Sequence, residues 1–479
     1  LDDVGWYASS YMLTNCAVQL LYGRIYKFYS TKCVFLGCIG IFEVGSAICG
    51  AAPNSISFII GRSIAGLGSA GIFSGSMMVM LHTVPLHRRP IFAGFFGATF
   101  GISSVIAPLL GGVFTDKASW RWCFYINLPI GAATIIIIAL LLKVPDAENG
   151  KVKGLSLQQR FLQLDPLGTA CLVPGIVCLI LALQWGGTTY AWGSGRVIVL
   201  LVIFAILFAI FIGIQAWKKD DALVPVRIAM HRSIAAGALF TFSTAGSMVV
   251  IIYYLSIWFQ AIKGVTALES GIRLIPTILA LSISSTVSGF ITSKIGYYVP
   301  AMIFTSVASS IATGLMTTFT PETNHASWIG FQVLYGLGLG SARQVSGLAA
   351  QAVLPRSDVA IGTAVLFFWQ GIGGVVFVSA AQSLFLNSLI YGVAGIPGLD
   401  ARTILNTGAT ALQTDVAPQN LKALIVAYNH AVTRPFVLAT CVTCLSIIGS
   451  LSMEWKNIKG MRRGGSGGAQ GDGKEAVKV

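Results

Sequence analysis

GFFGATFGISSVIAPLLGGVFTDKASWRWCFYINLP, residues 94–129, decides how this chain folds. Gly94, Gly97 and Gly101 recur every three or four positions along an apolar run. That spacing puts small residues on one helix face, where another backbone can come close. Pro108 removes a backbone donor and bends a helix. Gly111 and Gly112 weaken the far end of the run. A short polar turn comes next, and WRWCFYINLP opens the next apolar stretch. The reading is a bent bilayer span that either seals or hinges against a neighbour, or else an ordinary Gly-rich span.

Working outward, the same character fills the chain. Of 479 residues, 55% are hydrophobic and 10% charged, against about 25% charged in a soluble domain. Apolar runs of about 20 residues recur, so the chain is an all-α polytopic membrane protein. The formal net charge of +14 does not indicate nucleic acid, because the basic residues lie in short loops and the tail rather than along a stripe. Most of the nine cysteines lie inside apolar runs and read as small buried residues rather than redox or metal groups. No phosphate-binding Gly-Lys loop, zinc-protease motif or carboxylate pair at catalytic spacing occurs, so the chain is not read as an enzyme or an ATP-driven pump.

Thirteen spans are expected, at 4–24, 33–52, 56–81, 90–115, 122–143, 165–186, 195–217, 233–258, 268–292, 298–318, 326–350, 359–385 and 435–453. Lys and Arg favour one set of alternate loops, plus the tail, by about three to one, which makes that set cytoplasmic. The C-terminus is then inside. An odd span count with an exterior Leu1-Asp2-Asp3 start leads us to expect a parent of 14 spans, with one helix before Leu1. The units are 1–143, a cytoplasmic connector at 144–164, two further helices in 165–217, a cytoplasmic loop at 218–232 and a second bundle at 233–453. The second bundle contains an exterior loop at 386–433, and a disordered tail spans 454–479. Short amphipathic helices are expected at 155–163 and 418–431.

Charges inside spans are expensive and mark function or a fixed structural bond. Glu43 lies mid-way along the second span and Arg62 about two turns into the third. Each is either a proton-coupling group or a fixed hydrogen-bonding group. Arg273 and Arg343 lie nearer span ends, where snorkelling is the simpler reading, though Arg343 and Gln344 could face a vestibule. Polar and aromatic residues within spans are candidates for a substrate cavity: Tyr7, Tyr11, Asn15 and Gln19 at four-residue spacing on one helix face; Tyr253, Tyr254 and Trp258; Gln332 and Tyr335; and Phe367, Phe368, Trp369 and Gln370. The other reading is helix packing with Tyr and Trp at the membrane interfaces.

Several stretches together resemble the 14-spanner drug:proton antiporter family of the major facilitator superfamily. That family's antiporter motif runs Gly, eight residues, Gly, three residues, Gly-Pro, two residues, Gly-Gly. Gly94, Pro108, Gly111 and Gly112 match it, with Ser103 and Ala107 in place of two glycines. The stretch Trp120-Arg121-Trp122, with Asn127 and Pro129, resembles the turn that succeeds the motif in that family. IIGRSIAGLGSAG resembles the family's fourth-helix motif, with Arg62 at its proton-transfer arginine and Gly66 at its glycine. GRIYKFYSTK is similar to the loop after the family's second helix, with Lys27 where many members carry Asp. FEVGSAICGAAPNS, LQWGGTTYAWGSGR and IGYYVPAMIF look like fungal members that export toxins or drugs.

The resemblance implies a major facilitator fold: two six-helix bundles around a cavity, two extra helices between them, and here no counterpart of the first helix. The cavity would be lined by 56–81, 233–258 and 326–350. It further implies proton-coupled efflux of a small amphipathic organic substrate by alternating access, with no cofactor beyond the proton gradient. A facilitator, a proton symporter and a non-transporting sensor remain open on the same fold. The expected setting is the lipid bilayer of the plasma membrane, or the vacuolar membrane, with the protein as a monomer.

Overall fold

The structure is a computed structural model. It describes residues 4–143, 156–187, 189–343, 345–394, 396 and 418–459. Most of the connector, the middle of the expected exterior loop and residues 460–479 of the tail lie outside the described residues. The described chain is helical: α1 Val4–Phe28, α2 Thr31–Ala51, α3 Ser55–Thr83, α4 Arg89–Lys117, α5 Trp122–Tyr125, α6 Asn127–Leu141, α7 Leu157–Leu162, α8 Pro166–Trp185, α9 Gly195–Lys218, α10 Val226–Ala229, α11 Arg232–Lys263, α12 Ala267–Arg273, α13 Ile275–Ile295, α14 Val299–Met316, α15 His325–Ala342, α16 Val345–Val353, α17 Val359–Val393 and, last, α18 Pro418–Ser452. α5 leads directly into α6, and α12 into α13. Ten of the helices are long and apolar enough to cross a membrane.

Local chemistry sets the ends. The Asn54 side chain accepts a hydrogen bond from the Ser57 amide and starts α3, Thr266 does the same for the Glu269 amide at α12, and Asn324 for Ser327 at α15. Each satisfies an amide that the first turn of a helix leaves free. Gly296 closes α13 at φ 88°, a left-handed geometry that a side chain would strain.

Packing between helices rests on small residues. In the first group, Gly45 of α2 faces the Ala65 backbone of α3, and Gly68 of α3 faces Cys38 and Phe42 of α2. In the second, Gly336 and Gly340 of α15 lie on Thr277 and Leu281 of α13, Gly373 of α17 lies on Phe242 of α11, and Gly449 of α18 lies on Ala236 and Phe240 of α11. Lipid supplies no hydrophobic drive between helices, so close backbone approach of this kind is the main source of association.

Two seams join the groups. At one, Gly23 of α1 faces Ala360, Ile361 and Ala364 of α17, with a Cβ at Gly23 only 2.7 Å from that of Ala364. At the other, Gly94, Gly97 and Gly101 of α4 lie on α13. Both seams begin at the end of the bundle where α1 finishes and α4 and α17 start, the end rich in Lys and Arg. We call it the basic end.

The helix pair α8–α9 packs against α1 and α17. Its anchor is Asp165, just ahead of α8, which is fully buried. One carboxylate oxygen accepts from the Gly168 amide at 3.0 Å and from Lys218 Nζ at 2.8 Å, and the other from Gln215 Nε2 at 3.0 Å and the Leu223 amide at 2.9 Å. Burial pushes this carboxyl up, but the Lys218, Gln215 and backbone donors outweigh it and hold it below the ordinary carboxylate range.

The ends of the long helices differ from expectation in one place. The expected loop 386–433 is helical on both flanks: α17 continues to Val393, and α18 runs unbroken from Pro418 through Pro435 to Ser452. The expected amphipathic stretch at 418–431 is therefore the first half of the last helix. Its apolar face explains the continuity. Leu424, Tyr428, Ala431 and Val432 are buried, Tyr428 meets Phe385 edge-on, and Asn429 accepts from Trp258 Nε1 at 2.8 Å. This tertiary contact outweighs a single proline.

Candidate functional site

The antiporter-like stretch lies at the α4–α13 seam. A Cβ at Gly94 would stand 2.7 Å from the Ser285 carbonyl oxygen and 3.1 Å from the Thr286 Cα. At Gly97 it would collide with the Ser285 side chain, and at Gly101 with that of Ser282. Pro90 and Gly94 close on Gly289 from the other direction, and Ser293 Oγ donates to the His87 carbonyl. Contact then fades along α4, where a Cβ at Gly111 or Gly112 would meet nothing within 4 Å. The helix continues through position 108 to Lys117. The glycines that sequence reading placed together thus divide in two: three in a tight seam from the basic end to mid-helix, and two in open surroundings.

The turn after α4 fastens the opposite end. Arg121 donates to the Ala52 carbonyl at 3.0 Å and lies over the Trp120 ring. Asn127 Nδ2 donates to Ser46 Oγ. Trp120 and Phe124 meet Phe58 edge-on. Trp122 and Pro129 face outward.

Arg62 and Glu43 lie on neighbouring helices with different partners. Arg62 Nε donates to the Tyr7 carbonyl at 2.8 Å, and its guanidinium lies 4.4 Å from the Tyr11 ring centroid. Tyr11 in turn donates to Ser69 Oγ at 2.5 Å. Glu43 is half-buried and faces α6, where Gly131 leaves room for its carboxylate. Its Oε2 has no hydrogen-bond partner among the described residues. Gly131 was not singled out from sequence; its place four residues after Asn127 gave no sign of the contact.

The polar and aromatic cavity candidates separate by burial. Gln19, Tyr254, Gln332 and Tyr335 are buried and bonded to other helices. Gln19 donates to Ser74 Oγ at 2.7 Å, Tyr254 to Gln382 at 2.9 Å, Thr277 to Gln332 at 2.9 Å, and Tyr335 shares a bond with Ser247 at 3.1 Å. Phe368 is buried edge-on to Trp369. Tyr11, Asn15 and Gln370 are half-buried on α1 and α17, and Tyr253 is exposed.

A cluster at the basic end was not identified from sequence. Asp358, just before α17, accepts from Lys27 Nζ at 3.0 Å and from Arg227 Nη1 at 2.6 Å. Arg227 also pairs with Asp220. Arg24 is 1% exposed and donates to the carbonyl oxygens of Asp220 and Ala222. Both helix groups and the segment after α9 are thereby tied at one end. These residues read as loop charges that set orientation, and nothing in their spacing announces that they meet across more than 300 positions.

Burial pushes the Asp358 carboxyl up, but bonds from Arg227 and Lys27 outweigh it and hold it below the ordinary carboxylate range. A depressed carboxyl contributes stability above its unfolded value, near 4, and loses it only as pH falls through the lower folded value. The melting temperature should therefore show no step from this group between about pH 5 and 8. Asp358→Asn should cost about 2–3 kcal/mol, because it strands Lys27 in a partly buried site, with Arg227 discounted for its exposure. Thermal unfolding of the purified variant checks this, and adding Lys27→Met should recover part of the loss.

Comparisons agree with this architecture. A relative from Arthroderma benhamiae named MFS-type efflux pump MFS1 is 51% identical over 463 residues, covering 96% of this chain and 86% of that protein. The protein named rubrofusarin-specific efflux pump aurT, from Gibberella zeae, is 45% identical over 461 residues, covering 96% of this chain and 84% of that one. The solved structure of the proton:xylose symporter XylE is similar in fold, with a TM-score of 0.59 at 12% identity, covering 96% of this chain and 89% of that one. The family model of the Major Facilitator Superfamily matches residues 1–378. With the helical architecture and the two seams, that match means the chain is an integral membrane protein of the Major Facilitator Superfamily, a transporter family rather than an enzyme family.

Proposed function

We propose that the protein exports small amphipathic organic compounds, drug-like or toxin-like, driven by proton entry. The observation that supports export is the match across 96% of the chain to proteins named efflux pumps. The basic end is taken as cytoplasmic, so the C-terminus lies inside, in the plasma membrane. In that orientation both seams close the cytoplasmic side, and the open surroundings of Gly111 and Gly112 lie toward the exterior. Rocking of one helix group against the other about these seams would expose a central site to each side in turn.

Arg62 is the proton-coupling candidate in this scheme, with Glu43, which faces α6 from the adjacent helix, as a separate second candidate. Among the described residues the guanidinium holds a backbone carbonyl and an aromatic face but no carboxylate. It is therefore available to a group that gains and loses charge during the cycle. Unpaired charge within a span is retained at a cost that function offsets.

Expression in a yeast strain stripped of its own drug exporters tests the reading. Cells should accumulate less of at least one dye from a panel of neutral and anionic aromatic dyes than the vector control, and a protonophore should abolish the difference. A difference that survives the protonophore would favour a facilitator, and equal accumulation from the outset across a panel of aromatic dyes would favour a sensor.

A further inference from the structure

Arg343 ends α15, where the helix gives way to α16. It forms none of the ion pairs among the described residues. Its Nη1 approaches the sulfur of Met248, its guanidinium lies 4.2 Å from the Phe100 ring centroid, and its Nε has no hydrogen-bond partner among the described residues. A thioether is a weak acceptor, and a ring face offers no lone pair. A guanidinium with five donors is thus held by soft neighbours, in a setting where bare charge is costly.

The level of these neighbours fixes the depth. Phe100 lies about 17 Å along α4 from its start, and Met248 about 24 Å along α11, at 1.5 Å per residue. Both distances fall near the middle of helices that span a hydrocarbon layer of about 30 Å. Snorkelling to an interface does not account for a guanidinium at that depth. Phe100 belongs to α4 and Met248 to α11, so the cation sits between the two helix groups. Phe100 itself lies between Gly97 and Gly101, the closest points of the α4–α13 seam. Tyr335, on the same helix as Arg343, carries a hydroxyl linked to Ser247, which accepts from Thr443 at 2.8 Å. Polar groups therefore converge on the same region from α11, α15 and α18.

Arg62 makes a useful contrast. It too lies over an aromatic ring, but its Nε is satisfied by the Tyr7 carbonyl. Arg343 lacks that bond. We propose that Arg343 is the anion-recognition residue of the transport site and that the substrate class is aromatic acids, compounds with a carboxylate or acidic phenolate beside a planar ring. The anion would take the guanidinium donors that sulfur serves poorly, and the ring would lie against Phe100. The planar fork of an arginine suits a carboxylate in two-point contact. This deepens the efflux reading and rests on it for the transport step.

Binding decides it. The detergent-purified protein would be titrated with 1-hydroxy-2-naphthoate, which is ionised at pH 7, and separately with its neutral methyl ester, following the fluorescence of each probe. Wild type should bind the acid at least about tenfold more tightly than the ester. Arg343→Met should lose that preference while keeping ester affinity, and Arg343→Lys should keep part of it. The melting temperature of Arg343→Met should not fall, because the substitution removes a half-buried charge that has no ion-pair partner among the described residues; a structural arginine would give the opposite. Equal affinity of wild type for acid and ester, or an unchanged preference in Arg343→Met, overturns the proposal. Export of both probes from proteoliposomes separates the two readings. A protein that binds the acid through Arg343 and exports neither keeps this inference and removes the efflux reading. One that exports the ester and ignores the charge does the reverse.

Discussion

Gly97→Val and Gly101→Val should each cut export by at least about tenfold while leaving a folded protein, whereas Gly112→Ala should stay within about twofold of wild type. The contrast comes from distance. An added Cβ at Gly97 or Gly101 runs into the side chain of Ser285 or Ser282 across the seam, and at Gly112 it meets nothing within 4 Å. Forcing extra atoms into such a contact costs about 1–3 kcal/mol. In the proposed alternating access, that cost falls on the state in which α4 and α13 are closed, so it would shift the balance between the two arrangements rather than the stability of either helix group alone. A shift of about 3 kcal/mol changes a two-state ratio by more than about a hundredfold. Efflux rates in vesicles, with surface expression as the control, read the outcome. Compensation by Ser285→Gly in the Gly97→Val background would tie the loss to this contact.

Arg62→Ala should abolish proton-driven export, a loss of at least about a hundredfold, with normal amounts of protein in the membrane. Glu43→Gln should have a smaller effect. Arg62 bonds to α1 through the Tyr7 carbonyl and the Tyr11 ring, while Glu43 points at α6. The two charges act in different contacts, and removing one does not strand the other. Arg62→Lys separates charge from geometry. Lysine keeps the charge but cannot spread it over the Tyr11 face as a planar guanidinium does. If Arg62→Lys restores export fully, charge alone suffices; if it fails while the protein folds, the ring contact matters as well.

The span order was legible because apolar length is a local property. Each expected span overlaps a helix of the structure, and small-residue spacing around Gly94, Gly97 and Gly101 pointed to a close backbone contact. The boundary at the last span was missed for a specific reason. The stretch 418–431 reads as a short amphipathic helix within an exterior loop, yet Tyr428, Asn429 and Val432 bury against α11 and α17 and make it part of the last helix. Tertiary packing decided that helix, and no window of local sequence contains it.

The site was legible only in part, for the same reason. Arg62 and the α4 glycines stand out because charge or repeated Gly within an apolar run is locally unusual. The Lys27–Asp358–Arg227 cluster joins the end of α1, the short helix α10 and the turn before α17, far apart in sequence, and each charge is unremarkable alone. Asp165 reads as an ordinary helix start until Gln215, Lys218 and Leu223 close around it. Gln332, Tyr335 and Tyr254 read as cavity polar groups; the structure shows each bonded to a neighbouring helix, with Gln332 Nε2 left without a partner among the described residues. Sequence shows that a polar group is present inside a span, not which surface it faces.

The most direct test of the account is proton flux in proteoliposomes containing only this protein, with a pH-sensitive dye trapped inside and no membrane potential. Adding a transported aromatic compound to one side should drive protons across in the opposite sense to the compound. The flux should vanish in Arg62→Ala and saturate with substrate. Substrate movement with no accompanying proton flux, or with flux in the same direction, would contradict proton-coupled efflux as the function of this chain.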